Sequence, residues 1–324
     1  MITKLRIQNF RSFVDAEVKL RPFSLVVGAN GSGKSNLLRA LELLTFNYVI
    51  SEHPAMSHRR RIDKHINFPH QRTTIKGWDG DLGSLCTTDD DNNEAFFSAS
   101  IPLWIYNVSA NSVSGFENII ASAVVNADGS GTAQVLESLK NGDREDLFDK
   151  IEEAFKRYVP EVEKLSLRTV EQGKKQIQVR EKGLKELLPA TELSEGTRII
   201  LCLLTILHQE KPPPIILLED IDSGLHPRLF EYMVPIMRDI AERHGINILA
   251  TTHNPYLVDC FQDDKEAVII VEKKDGASTL TTLADRLKDI DYDSVDPEDL
   301  PLGSLWFTGH VGGVPAKINL RPGK

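Results

Sequence analysis

The sequence predicts an α/β fold: a mixed, largely parallel core sheet with an N-terminal antiparallel β part and a helical or irregular insertion. Three observations carry that prediction. An apolar strand, FSLVV (23–27), runs into a glycine-rich turn and then into NLLRALELLTF, whose leucines recur at helical spacing. In the second half, strands alternate with helical segments, the pattern of crossover-connected strands. The first twenty residues instead carry two strand patterns, TKLRIQNF and DAEVKL, which add antiparallel strands to that core.

Residues 50 to about 95 are polar and irregular, which reads as an insertion or lid. EAFFSASIPLWIYNV (94–108) reads as one or two strands. From 144 to 164 an amphipathic helix is interrupted near Pro160. LSLRTVEQGKKQIQVREKG alternates about Gln172-Gly173, a hairpin signal. LSEGT (193–197) precedes an apolar helix over 198–209, the turn KPPP follows, and IILLED (215–220) is a short buried strand ending in two acids. PRLFEYMVPIMRDIAERHG (227–245) is an amphipathic helix with a glycine cap, followed by the strand INILATT and the turn HNP. The last sixty residues add the strand AVIIVEKKDG, a short helix and the tail LGSLWFTGHVGGVP.

With 324 residues, 41% hydrophobic and 26% charged, the chain can bury an ample core as one large domain or two ordinary ones. Its longest apolar run, IILCLLTIL (199–207), is too short to cross a bilayer, and MITKLRIQNF has no signal-peptide apolar stretch. No membrane role is expected. Cys86, Cys202 and Cys260 form an odd set without CxxC spacing, as expected of a reducing cytoplasm, with Cys202 and Cys260 buried as small apolar groups. A net charge of −9 argues against a protein that coats nucleic acid by electrostatics. Residues 51–76 nevertheless hold six Arg or Lys with His53, His58, His65 and His70. HRRRIDKH (58–65) reads as a solvated lid, with contact to nucleic acid or a partner as the alternative. The histidines lack the cysteines and the spacing of a zinc site.

GANGSGKS (28–35) fits G-x-x-x-x-G-K-[ST] in full, between the strand and the helix that the motif requires. Its glycines let the backbone curl, so that N–H groups along Asn30, Gly31, Ser32, Gly33 and Lys34, and at the helix start around Ser35 and Asn36, face phosphate oxygens. Lys34 would reach the β- and γ-phosphates of ATP, and Ser35 would ligate Mg²⁺. IILLED supplies the carboxylates. Glu219 is placed to hold Mg²⁺ through Ser35 or water, and Asp220 to orient or deprotonate an attacking water. His253 in TTHNP ends the next predicted strand and emerges on the same sheet edge as Asp220, where it would meet the γ-phosphate; alone, a turn histidine is structural. Ser194 reads as the N-cap of its own helix.

NFRSF, LSEGT, IILLEDIDSGLHP and TTHNP occur in that order around the P-loop. The chain resembles ABC-type ATPase heads of the RecF/SMC kind. More narrowly, it resembles the bacterial AAA-family ATPases of the OLD group, many found in phage-defence operons. The resemblance covers roughly residues 1–44 and 185–275. It implies a single ATPase head over 1–324, with residues 45–190 as an insertion and 276–324 as a C-terminal extension. It also implies a head-to-tail dimer, in which Ser194 and the backbone at Glu195 and Gly196 close over the partner's γ-phosphate. Asp222–His226 would run along the seam, and Arg11 would lie near the nucleotide.

The chain departs from the pattern in several places. Its carboxylates read Glu-Asp where transporter and SMC heads carry Asp-Glu, which implies slow or partner-stimulated hydrolysis. Glu195 replaces a glycine, and a Q-loop glutamine is not assigned, since Gln71 lies in a loop context. VIIVEKKDG is similar to the opening of a Toprim nuclease domain, but too little sequence follows for that fold. The implied function is a cytoplasmic ATPase, dimeric or higher, that drives a separately encoded nuclease or toxin in antiviral defence. The alternatives are a RecF-like DNA-binding repair ATPase and an ATP-dependent scaffold or sensor.

Overall fold

Burial alternates along the first two strands. β1 (Ile2–Phe10) buries Ile2, Leu5, Ile7 and Phe10, and β2 (Phe13–Lys19) buries Phe13, Ala16 and Val18. They pair antiparallel, with Arg11 and Ser12 at the tip between Phe10 and Phe13. β3 (Phe23–Val27) is buried at every position, as a strand covered on both faces must be. After the loop, helix α1 occupies 34–42. The computed structural model describes residues 1–42, 73–79, 83–89, 103–113, 117–118, 123–171, 173–210, 212–290 and 301–315. The basic segment 58–65, its histidines and Gln71 lie outside the described residues.

β4 (Thr73–Asp79) pairs antiparallel with β1, and β5 (Gly83–Asp89) with β4, giving the sheet order β2-β1-β4-β5. Part of the stretch expected to be irregular is therefore strand. Threonine-rich TTIKGWD and GSLCTTD carry β propensity with little apolar signal, so hydrophobic periodicity passes over them.

The chain divides into two compact units, Met1–Leu103 with Asn247–Lys324, and Trp104–Ile246. The second unit begins within β6 (Leu103–Tyr106), at Trp104, and continues with the helical turn α2 (Ala110–Val113) and β7 (Glu117–Asn118). α3 (Thr132–Asn141) has no counterpart in the sequence expectations. Its first turn is capped from a distance: the buried Glu117 carboxylate accepts from the N–H of Gly131 (2.5 Å) and of Gln134 (3.1 Å). Burial raises the Glu117 pKa against those bonds. α4 (Glu145–Tyr158) stops two residues before Pro160, where the interruption is expected, because the residue preceding a proline is pushed out of the helical region; the chain from Val162, expected as helix to 164, is strand instead. β8 (Val162–Glu171) and β9 (Lys174–Glu181) form the expected hairpin, and β10 (Leu188–Pro189) pairs with β9.

α5 (Glu195–His208) buries every residue from Arg198 to Leu207. Among them Cys202 is fully buried, which pushes its thiol pKa up to about 12. β11 (Ile215–Leu218) lies beside β6. The next helix begins with a 3₁₀ turn at Pro227–Leu229 and continues as α6 (Phe230–His244). Gly245, at φ +62°, donates its N–H to Ala241 and Glu242 and ends it, as the sequence predicts.

The first unit resumes with β12 (Asn247–Thr251), α7 (Pro255–Asp259), β13 (Val268–Lys274), β14 (Ala277–Thr282), α8 (Leu283–Lys288) and α9 (Leu302–Phe307). β12 and β13 flank β3 in parallel, and β14 turns back antiparallel on β13 through Asp275-Gly276. The core sheet is mixed and mostly parallel. Asn247, 1% exposed, closes it against the amino terminus: its Oδ1 accepts from Ile2 N–H (2.6 Å), and its Nδ2 donates to Ile2 C=O (2.9 Å). Cys260 is only half-buried, contrary to expectation, because it ends the short α7, of which only Leu257 and Val258 reach the interior. No helix among the described residues is long and apolar enough to cross a membrane.

Replacing Asn247 with alanine orphans both backbone groups of Ile2 in a buried place. The Asn247→Ala protein is expected to lose about 2–4 kcal/mol in urea denaturation. A second outcome concerns the thiols. Iodoacetamide at pH 8 should label Cys260 in the native protein and spare Cys202 until denaturant is added, read peptide by peptide by mass spectrometry.

Candidate nucleotide-binding site

The P-loop leaves β3 at the C-terminal edge of parallel strands, the position where α/β sheets bind ligands. Asn30, Gly31 and Ser35 are exposed, whereas Ser32, Gly33 and Lys34 are buried. The Lys34 ammonium donates to the carbonyls of Gly28 (2.7 Å) and Ala29 (3.2 Å), so the loop wraps its own lysine. Ser32 Oγ is buried without a hydrogen-bond partner. Gly33 sits at φ +117°, and a Cβ there would come within 2.6 Å of Ser278 Oγ and 3.1 Å of Ser12 Oγ. Only glycine fits both the dihedral and the space. Beside the loop tip lies a cavity of about 430 Å³, bounded by Asn30, Gly31, Ser32, Glu272, Lys273 and Pro315.

The loop is held from outside by residues of the β1–β2 tip, of α1 and of β14. Ser278 on β14 donates its N–H to Ser12 C=O (2.6 Å), and its Oγ lies 2.7 Å from Ser12 Oγ and 2.6 Å from the carbonyl oxygen of Ser32. Asn36 Nδ2 donates to Ser12 Oγ (2.9 Å), and Arg11 Nη1 donates to Asn36 Oδ1 (3.1 Å). Arg11, at φ +52°, also lies over the Phe10 ring. The structure thus gathers Arg11, Asn36 and the loop, and adds Ser12 and Ser278. Ser12 falls within NFRSF, but nothing in the run GASTLTT distinguishes Ser278.

His253 follows β12, and Thr252 N–H still bonds Val26 C=O, so His253 emerges, exposed, on the sheet edge that bears the P-loop. Asn254 caps α7 by accepting from Tyr256 N–H.

In the second unit, Glu219 is partly exposed and Asp220 exposed, just beyond the buried strand β11. Glu219 N–H bonds Tyr106 C=O (3.0 Å). Asp220 adopts φ +47°, a left-handed conformation that aspartate tolerates better than glutamate. Ser194 is the N-cap of α5, accepting from Thr197 N–H (3.1 Å), as the sequence predicts. A Cβ at Gly196 would come within 2.9 Å of Gly224 O, so the LSEGT glycine is set by close approach to the DSGLH turn. His226 Nδ1 in that turn accepts from Arg228 N–H.

Among known proteins, a model described as "AAA ATPase domain" matches residues 1–106. Residues 134–259 match the model "AAA domain, putative AbiEii toxin, Type IV TA system". The OLD nuclease of Thermus scotoductus is 23% identical, across 89% of this chain and 67% of that one. Among solved structures, an SMC head bound to the C-winged helix domain of ScpA has a TM-score of 0.52 at 16% identity, over 87% of this chain and 97% of that one. The SMC head domain from Thermotoga maritima has a TM-score of 0.50 at 16% identity, over 87% and 98%. An SMC head with an extended coiled coil, bound to the C-terminal domain of ScpA from Pyrococcus furiosus, has 0.51 at 14% identity, over 89% and 98%. At these identities the likeness is one of fold. Together with the P-loop between β3 and α1, these matches support an ABC/AAA-like ATPase head and show the P-loop NTPase fold.

Proposed function

We infer that the chain binds and hydrolyses ATP, that two copies pair head-to-tail around the nucleotide, and that this pairing regulates an effector in anti-phage defence. The P-loop is the observation that carries the reading. A buried hydroxyl without a partner at Ser32, a lysine folded into the loop and an exposed serine on the first turn of α1 suit a triphosphate with its cation. Among the described residues no group of three or more His, Cys, Asp or Glu is placed to hold a metal by itself. Mg²⁺ would come with the nucleotide and offset charge on the β- and γ-phosphates; Ser35 is the residue of the loop that would hold it, and Glu219 the proposed carboxylate ligand.

Asp220 is the general base of this reading, with His253 touching the γ-phosphate. The shorter acid follows from the left-handed turn at φ +47°, where aspartate and asparagine are the tolerated polar residues. Ser194 has a double role. It caps α5, while the N–H groups of Glu195 and Gly196, which have no partner within the helix, face an anion bound by a second subunit. For that, the exposed Glu195 carboxylate turns away from the phosphate. One matched model is named for a toxin and the curated relative is a nuclease. Those names support an effector of either class, supplied by a partner protein.

Phosphate release and light scattering with ATP and Mg²⁺ test the assignments. Lys34→Ala should abolish both turnover and the ATP-dependent gain in mass. Asp220→Asn keeps a residue that accepts the left-handed turn and removes only the charge. It should lower turnover about 100-fold or more while retaining, or trapping, the larger assembly. Unchanged turnover in Asp220→Asn would remove it from catalysis. Mixing Lys34→Ala with Ser194→Ala should restore part of the activity that each lacks, since a mixed pair has one intact site. No restoration would contradict the head-to-tail arrangement.

A further inference from the structure

The loop carries an orientational constraint that the motif does not describe. A trans peptide is planar, so the C=O of one residue and the N–H of the next point in opposite directions. The described chain has no cis peptide. Ser32 C=O is drawn out of the loop to Ser278 Oγ at 2.6 Å, which turns the Gly33 N–H to the opposite side.

The protons in this cluster can be counted. Ser278 Oγ has one hydrogen and two neighbours, Ser32 O at 2.6 Å and Ser12 Oγ at 2.7 Å. The carbonyl can only accept, so the Ser278 proton goes there. Ser12 Oγ is the other acceptor within reach of that hydroxyl, at 2.7 Å. Ser12 Oγ in turn accepts from Asn36 Nδ2, and Asn36 Oδ1 accepts from Arg11. Arg11 and Asn36 thus donate toward Ser12 from one side and Ser278 lies against it from the other, and only Ser278 reaches Ser32 C=O. All three serines are at most 4% exposed, so water does not substitute for the final donor.

The geometry points to Ser278 as a positioning residue for phosphate binding: its hydroxyl locks the Ser32–Gly33 peptide with the Gly33 N–H directed at the phosphate. This rests on the P-loop being the ATP site. Glycine at φ +117° gives that peptide little intrinsic preference for one orientation, so the orientation has to come from outside the loop. Strand β14, 246 residues along the chain, supplies it. Removal of Ser278 Oγ leaves a buried carbonyl unpaired, and rotation of the peptide relieves this at the expense of the inward N–H.

Binding of ATP–Mg²⁺ and of pyrophosphate–Mg²⁺, measured calorimetrically on wild type, Ser278→Ala, Ser278→Thr and Ser12→Ala, tests the lock. Ser278→Ala should weaken both ligands by a similar factor of about 10, because the lost N–H acts on phosphate. Ser278→Thr, which keeps the hydroxyl, should restore most of that affinity. Ser12→Ala removes the bond between the serines but leaves the Ser278 proton on Ser32, so it should cost much less than Ser278→Ala. If the serines merely join β14 to the β1–β2 turn, the two alanine variants will weaken binding equally, and the lock is wrong. Wild-type affinity in Ser278→Ala also overturns it while leaving the ATP site intact. Should wild type itself bind no ATP, the site and the lock both fall.

Discussion

A loop that turns its N–H groups toward a ligand turns its carbonyls the other way, and those carbonyls need donors. Much of the first unit can be understood as meeting that need. Lys34 serves the carbonyls of Gly28 and Ala29 from within the loop, and Ser278 serves Ser32 from outside. Placing a strand hydroxyl there requires β14 to fold back on β13, and β13 to lie parallel to β3. It also requires the β1–β2 tip to reach the loop, which brings Ser12 and Arg11 to the start of α1. The antiparallel part, the core sheet and the last hairpin thus converge on one short loop.

How much of this was legible in the sequence follows from how local each interaction is. GANGSGKS reads directly because its spacing records a backbone geometry completed within eight residues. Ser194 reads as a cap because a cap reaches only three residues on, to Thr197. Ser278 leaves no such trace, since what it touches is fixed by strand pairing across most of the chain. α3 was missed for a similar reason: the acid at its first turn is Glu117, fourteen residues before Gly131 and outside any capping pattern. β4 and β5 escaped because their threonines carry strand preference without apolar alternation.

The order of the two acids after β11 shows the backbone setting the chemistry. A left-handed residue two places beyond the strand favours aspartate over glutamate, whatever role the side chain performs. Read from sequence alone, Glu-Asp is a departure that weakens the expected base. Read with the turn, it is an acid of the length that the conformation admits.

The contact between Gly196 and Gly224 has a consequence of a different kind. With 2.9 Å between the place of a Cβ and a carbonyl oxygen, the start of α5 and the turn after Asp220 meet backbone to backbone. Side chains between two elements absorb displacement by changing rotamer; at Gly196 the nearest atom is a backbone carbonyl oxygen, which has no rotamer to change. A displacement of the helix tip toward the turn therefore meets backbone, and a side chain added at Gly196 would have to move one of the two.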